Sequence, residues 1–336
     1  MGRVVLVTGA AGFLGSQLCR SLADNPLIAR IIAVDAVAPP RDLVQERPRA
    51  RLEFVRADVR SPQFARTLMA SGADTVVHMG VIATRRQAGG RAAMKEINVL
   101  GSLQLLAACQ KAEQLRRVVV KSSAAVYGCG PRDPAMFAED SEPEHPPTSG
   151  WSKDCSEVEV AVRTLRRARP DLDVRTLRLA NVIGPRIETA FTSYFMLPVV
   201  PTVLGFNPRL QFVHEDDAIA CVAAMATTGA DSGQHEGSLA TSVLNVAGPG
   251  VLTLFQAVRR TGRYPLPLPA PLVRPVGRRL AGDALVDFSS EQVRLLTWGR
   301  VLDTSRSDRV LASCGVHVRP TAEAFDDFVR ARGAVA

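Results

Sequence analysis

Short β-branched runs alternate with segments of helical period through the first 180 residues. "RVVLVT", "RIIAVD", "LEFVRADV", "DTVVHMG", "RRVVVKSS" and "DVRTLRLANV" predict six strands. Between them, "FLGSQLCRSLADN", "NVLGSLQLLAACQKA" and "SKDCSEVEVAVRTLRRA" carry apolar residues at helical spacing. Strands buried on both faces by crossover helices read as continuous apolar runs, as these do. The pattern predicts an α/β fold, a Rossmann-type doubly wound parallel sheet.

After residue 180 the alternation weakens. "DDAIACVAAMAT" and "TAEAFDDFVRA" predict helices, and "SVLNVAG" predicts a late strand. Prolines cluster in "PVVPTV" and in "YPLPLPAPLVRP", the latter expected as a rigid surface loop. The expected organisation is a dinucleotide-binding domain over 1–180 and a smaller, mainly substrate-binding lobe over 181–336. A strand near 243–247 would return to the sheet.

The first strand–helix turn, "VTGAAGFLG", sets Gly9, Gly12 and Gly15 three residues apart. Gly9 permits the tight turn, Gly12 lets a pyrophosphate approach the backbone, and Gly15 allows close helix–strand packing. The phosphates would then meet the free N–H groups of the helix N-terminus. Asp35 ends the next strand twenty residues after Gly15, the place for a carboxylate on ribose hydroxyls. It would repel a 2′-phosphate, so the cofactor expected is NAD; Arg41 nearby leaves NADP open.

Charge and cysteines narrow the classes. The net charge is +8, yet only four residues are lysine: Lys95, Lys111, Lys121 and Lys153. The arginines are dispersed and no nucleic-acid-binding signature appears. No metal site is expected from the spacing of the six cysteines and five histidines, and no disulfide framework. The longest apolar candidate, "LPVVPTVLGF", is short and broken by prolines, so no membrane span is expected. A cytoplasmic protein acting on a small molecule follows.

The glycine spacing is joined by "RADVR", "HMG", "NVLGS", "SSAAVYG", "SK", "LANVIGPR", "FVHEDDAIA" and "NVAG", in that order. Over nearly the whole chain this resembles the extended short-chain dehydrogenase/reductases, the NAD-dependent epimerase/dehydratases that include UDP-glucose 4-epimerase. The resemblance implies that Phe13 and Leu14 lie along the pyrophosphate turn, that Asp58 and Val59 flank the adenine, and that Asn98 supports the cofactor. It implies Ser123 as the catalytic serine, Lys153 as the lysine on the nicotinamide ribose, and Asn181 at the start of the substrate segment. It also implies a homodimer through the helices around Leu103–Ala112 and Val158–Arg166.

Two positions depart from the family pattern. Ser149 stands where the family keeps the tyrosine that moves the hydroxyl proton. A serine hydroxyl is a far weaker acid than a phenol of pKa ~10, and it is shorter by a ring. Tyr127, Cys155, His145 and a water held by Ser149 and Ser123 remain as replacements. Leu210 stands where many UDP-sugar members keep a phosphate-pairing arginine, with Arg209 beside it. The expected function is an NAD-dependent epimerase/dehydratase-like oxidoreductase acting on a hydroxyl or ketone carbon, of a sugar nucleotide. A non-catalytic NAD-binding sensor or scaffold, and a dehydrogenase of a lipid-like alcohol, stay open.

Overall fold

The computed structural model describes residues 2–40, 43, 51–82, 89–144, 146–228, 243–281 and 289–333. The chain begins β1 (Arg3–Thr8), α1 (Phe13–Ala23), β2 (Ile28–Asp35), β3 (Arg51–Arg56), α2 (Pro62–Ser71) and β4 (Thr75–His78). Next come α3 (Arg91–Lys95), a π-helical turn (Glu96–Leu100), α4 (Gly101–Lys111), β5 (Arg117–Ser123), α5 (Gly150–Ala168) and β6 (Asp173–Leu179). The second half opens with β7 (Asn181–Ile183), α6 (Ala190–Phe195), β8 (Val199–Val203), β9 (Arg209–Leu210), β10 (Phe212–His214) and α7 (Glu215–Thr227). It continues with β11 (Val243–Val246), β12 (Leu252–Thr253), α8 (Leu254–Arg260), β13 (Tyr264–Leu268) and α9 (Ala270–Ala281). It ends with α10 (Ser290–Trp298), α11 (Ser305–Ser313) and α12 (Thr321–Gly333).

Seven strands form one parallel sheet in the order β11-β6-β5-β4-β1-β2-β3. The six strands expected from the first 180 residues are all in it, and the late strand does return to its edge. Side-chain parity splits each strand between two cores. Val5 and Val7 of β1 and Val119 of β5 face α1 and α7. Leu6, Val118 and Val120 face the other way, toward Leu105 of α4 and Val158 of α5. Strand order reverses at β1, so the crevice for a ligand opens above β1 and β4 at their C-terminal ends.

A third cluster lies beyond the sheet. Phe191, Phe195, Phe212, Phe325 and Phe328 are all buried in it, with ring centroids 5.0 to 6.2 Å apart among contacting pairs. The second half is not wholly separate, because α7 packs on α1 and β11 joins the main sheet. "YPLPLPAPLVRP" differs from the surface loop expected. Tyr264–Leu268 pairs in parallel with Val199–Val203, and helix α9 follows with Pro275 inside it. Alternate residues of a strand point their N–H groups the same way. Pro265 and Pro267 therefore turn their missing donors to the open edge of a two-stranded ribbon.

Candidate active site

A cavity of about 800 Å³ lies over the C-terminal ends of β2, β1, β4, β5 and β6. Its first wall is the glycine turn. Gly9 has φ +73°, and a Cβ there would stand 2.6 Å from Gly80; a Cβ on Gly15 would stand 2.0 Å from the Gly9 carbonyl oxygen. Both glycines are demanded by the protein's own packing. Gly12 is different: a Cβ there would meet only the Gly9 oxygen, at 3.4 Å. Among the described residues, packing does not demand a glycine there. Helix α1 has no side-chain N-cap, so its first N–H groups stay open beside Phe13 and Leu14 on the cavity wall.

Asp35 lines the same cavity one strand away. Its carboxylate accepts from the Ala11 N–H (3.0 Å) and the Val37 N–H (3.2 Å), which ties the end of β2 to the glycine turn. Asp58 and Val59 line the far end. Arg60 grips Asp58 at 2.7 Å and holds its carboxyl below the usual range. Arg41 lies outside the described residues.

Asn98 does not face the cavity. Fully buried in the π-helical turn, it accepts from the Ile82 N–H (2.8 Å) and donates to the Ile82 carbonyl (2.9 Å). It clamps the loop after β4 through Ile82, which does line the cavity. Next to it, His78 sits between Thr8 Oγ1 (2.7 Å) and Ser102 Oγ (2.9 Å); burial pushes its pKa down to about 3, so it is neutral.

The next strand supplies Ser123. Its Oγ accepts from the Ala125 N–H at 3.1 Å, which leaves its own proton free to donate. Two residues earlier on the same face stands Lys121. Its Nζ donates to the Val81 carbonyl at 2.8 Å, and the side chain lines the cavity. Burial lowers its pKa to about 8, partly countered by Cys155.

The opening of α5 brings Ser149, Trp151 and Ser152 to the cavity. Ser149 is exposed at the N-cap position, without a capping bond. Arg91 fixes this entry: it holds the buried Asp154 through two bonds (2.6 and 2.8 Å) and donates to the Gly150 carbonyl (2.8 Å). Lys153 is not on the cavity wall. It is 42% exposed and faces Glu157 one turn on, at 3.7 Å. The buried face of α5 runs through Cys155, Val158, Glu159 and Val162; at 100° per residue Lys153 points nearly opposite Cys155.

Of the replacements for the missing phenol, Tyr127 is elsewhere. It is 1% exposed, and its hydroxyl lies 2.8 Å from Asn245 Oδ1 and accepts from Arg178 at 2.7 Å. Arg178 in turn grips Glu159, which also accepts from Ser122. This is a buried structural network that meets the cavity wall only through Ser122; Tyr127 itself does not line the cavity. Cys155 is buried, off the cavity wall, and burial pushes its thiol well above the usual range. His145 lies outside the described residues.

The far rim carries charge that the sequence reading missed. Arg294 donates to the Cys129 carbonyl (2.8 Å), and Arg300 to the Gly128 carbonyl (3.0 Å). Among the described residues neither has a carboxylate in ion-pair range, and both line the cavity, as does Asn181. Arg186 lines it too, but Glu215 and Asp216 already neutralise it. Leu210 is 1% exposed inside the aromatic core and Arg209 reaches Ala135, so neither meets the cavity. Glu291 of α10 closes the rim against Ser152, and burial raises its carboxyl.

The chain belongs to the NAD dependent epimerase/dehydratase family, whose model matches residues 5–247. An uncharacterized protein of Mycobacterium tuberculosis is 44% identical over 98% of this chain and 84% of its own length. A UDP-glucose 4-epimerase of Mycolicibacterium smegmatis is 30% identical over 54% of this chain and 56% of its own. Among solved structures, a Bacillus cereus UDP-glucuronic acid 4-epimerase in complex with UDP-glucuronic acid and NAD is 19% identical. It superposes with a TM-score of 0.71 over 99% of this chain and 100% of that one, a likeness of fold.

Proposed function

We propose that the chain is an NAD-dependent oxidoreductase of the epimerase/dehydratase type acting on a hydroxyl or ketone carbon of a nucleotide sugar. The observation that carries the reading is the one continuous cavity from Asp35, past the bare backbone of Gly12, to Arg294 and Arg300, which among the described residues have no carboxylate in ion-pair range. These residues fit NAD: the open N–H groups of α1 for the pyrophosphate, Asp35 for the adenosine ribose, Asp58 and Val59 beside the adenine. Bound there, NAD would supply a hydride acceptor for the substrate carbon.

The chain's own groups do the rest. Ser123 would donate to the substrate oxygen and orient it. Arg294 and Arg300 would take the diphosphate, which removes the need for a cation at position 210 and disfavours a lipid-like alcohol. Ser149 is too weak an acid and too short to replace the phenol by itself. A cytoplasmic location belongs to the same reading, supported by six free cysteines, five of them buried. So does a homodimer: Leu103 of α4 and Val160 of α5 are exposed apolar residues on adjoining helices.

Calorimetric titration with NAD, then incubation with UDP- and dTDP-sugars while following NADH absorbance and product stereochemistry, tests the function. Binding of NAD at micromolar concentration and conversion of one sugar nucleotide is the expected result. Tight NAD binding with no conversion of any sugar nucleotide would return the chain to a sensor. Light scattering of the purified protein tests the dimer.

A further inference from the structure

The lysine expected at the cofactor, Lys153, is not on the cavity wall, and a different lysine stands there. We propose that Lys121, not Lys153, is the lysine that contacts the nicotinamide-ribose half of the bound dinucleotide. The inference rests on the NAD reading above and assigns a residue within it.

Strand order gives the placement. Asp35 ends β2, the glycine turn follows β1, Val81 follows β4, and Lys121 and Ser123 end β5. Adjacent strands are ~4.8 Å apart, so the step from β2 to β5 is about 14 Å. A dinucleotide with its adenosine on Asp35 and its pyrophosphate on Gly12 must lay its second nucleotide across β4 and β5. Lys121 shares its strand face with Ser123 and reaches across to the Val81 carbonyl.

The ammonium has capacity to spare. It carries three N–H donors, and among the described residues one acceptor, the Val81 oxygen, is met. No carboxylate lies in ion-pair range of it among the described residues. Lys121 is half-buried as a residue, opening at the cavity wall, while its ammonium is deeply enclosed. An enclosed cation with unmet donors is costly, and ribose hydroxyls would relieve it. Lys153 has none of this: it is partly exposed, pairs with Glu157 and is not on the cavity wall.

The test titrates NAD and NADH into the wild type, Lys121→Met and Lys153→Ala by calorimetry at pH 7. Met keeps the length of the stem, and a thermal melt of each variant verifies folding; Lys121→Gln is the second variant if Met perturbs the cavity. The expected result is a loss of about ten- to hundredfold in Lys121→Met, the worth of a charge-assisted hydrogen bond. Lys153→Ala should change affinity less than about threefold, as an exposed pair contributes little. A second readout is acetylation at pH 8.5 followed by mass spectrometry, in which saturating NAD should protect Lys121 and leave Lys153 reactive. A loss in Lys153→Ala as large as that in Lys121→Met, or unprotected Lys121 in the saturated protein, overturns the assignment. Wild type that binds neither nucleotide fails the NAD reading itself, and the assignment with it.

Discussion

Glu291 of α10 lies against the backbone of Gly150 at the start of α5: a Cβ on Gly150 would stand 2.0 Å from Glu291 Oε1. Gly150 also has φ +74°, where an L side chain is strained. One residue thus meets two demands, the turn into the helix and the seat for a carboxylate from the other lobe. Gly150→Ala should destabilise the protein by about 2–4 kcal/mol, strain and overpacking together. Urea unfolding of Gly150→Ala, Glu291→Ala and the double variant separates the two. The double variant should recover the overpacking part alone; full recovery would mean that the backbone is not strained.

Tyr127 gives the second prediction. Its hydroxyl completes the buried network of Asn245, Arg178 and Glu159, outside the cavity. Tyr127→Phe leaves Arg178 one acceptor short, which should cost about 1–3 kcal/mol of stability. NAD affinity should be unchanged. A measured fall in NAD affinity without a fall in stability would place the phenol in the active site after all.

The cofactor half of the site is legible in the sequence because it is local. Gly9, Gly12, Gly15 and Asp35 belong to one βαβ unit, and the chemistry of each is set by backbone nearby in the chain. The lysine is not. Spacing from Ser149 selects Lys153, but Ser149 is the N-cap with extended backbone, so the i, i+4 relation of a helix does not carry its direction to Lys153. A signal for Lys121 was present: one of four lysines in the chain, in an apolar strand, in step with Ser123. The cations at 294 and 300 come from a distant segment, and only folding brings them to the same cavity as the glycine turn and Asn181. Leu210 reads as a lost phosphate ligand, yet the β9 register puts it in the aromatic core.

That register supplies the third prediction. Leu210→Arg should not rescue nucleotide binding. It forces a charge into a core where Leu210 is 1% exposed, and should cost 3 kcal/mol or more, roughly the penalty of an unpaired buried charge. Arg300→Met should instead lower UDP affinity about ten- to hundredfold with little loss of stability. Titration of UDP into both variants decides; tighter UDP binding by folded Leu210→Arg would contradict the register.

Lys121 also predicts a pH dependence of stability in the protein without nucleotide. Burial brings its pKa to about 8 from an ordinary 10.5. Between those values the unfolded chain holds a proton that the folded chain has released. Stability therefore rises with pH from about 8 to 10.5, and below 8 the folded state bears the whole cost of the enclosed ammonium. The difference corresponds to about 3 kcal/mol as an upper figure. The groups around it do not blur the window. Cys155 is pushed well above the usual thiol range, chiefly by burial and then by Glu159. His78 is neutral throughout, and Glu159 is held by Arg178. Lys121→Met should accordingly be the more stable protein at pH 7, by up to about 3 kcal/mol. Its advantage should shrink steadily between pH 8 and 10.5 as the wild-type lysine discharges. Urea unfolding of both proteins at pH 7, 8, 9 and 10 measures the difference directly. A wild type that is the more stable at pH 7, or a gap that does not change with pH, would show that the ammonium is well solvated where it sits.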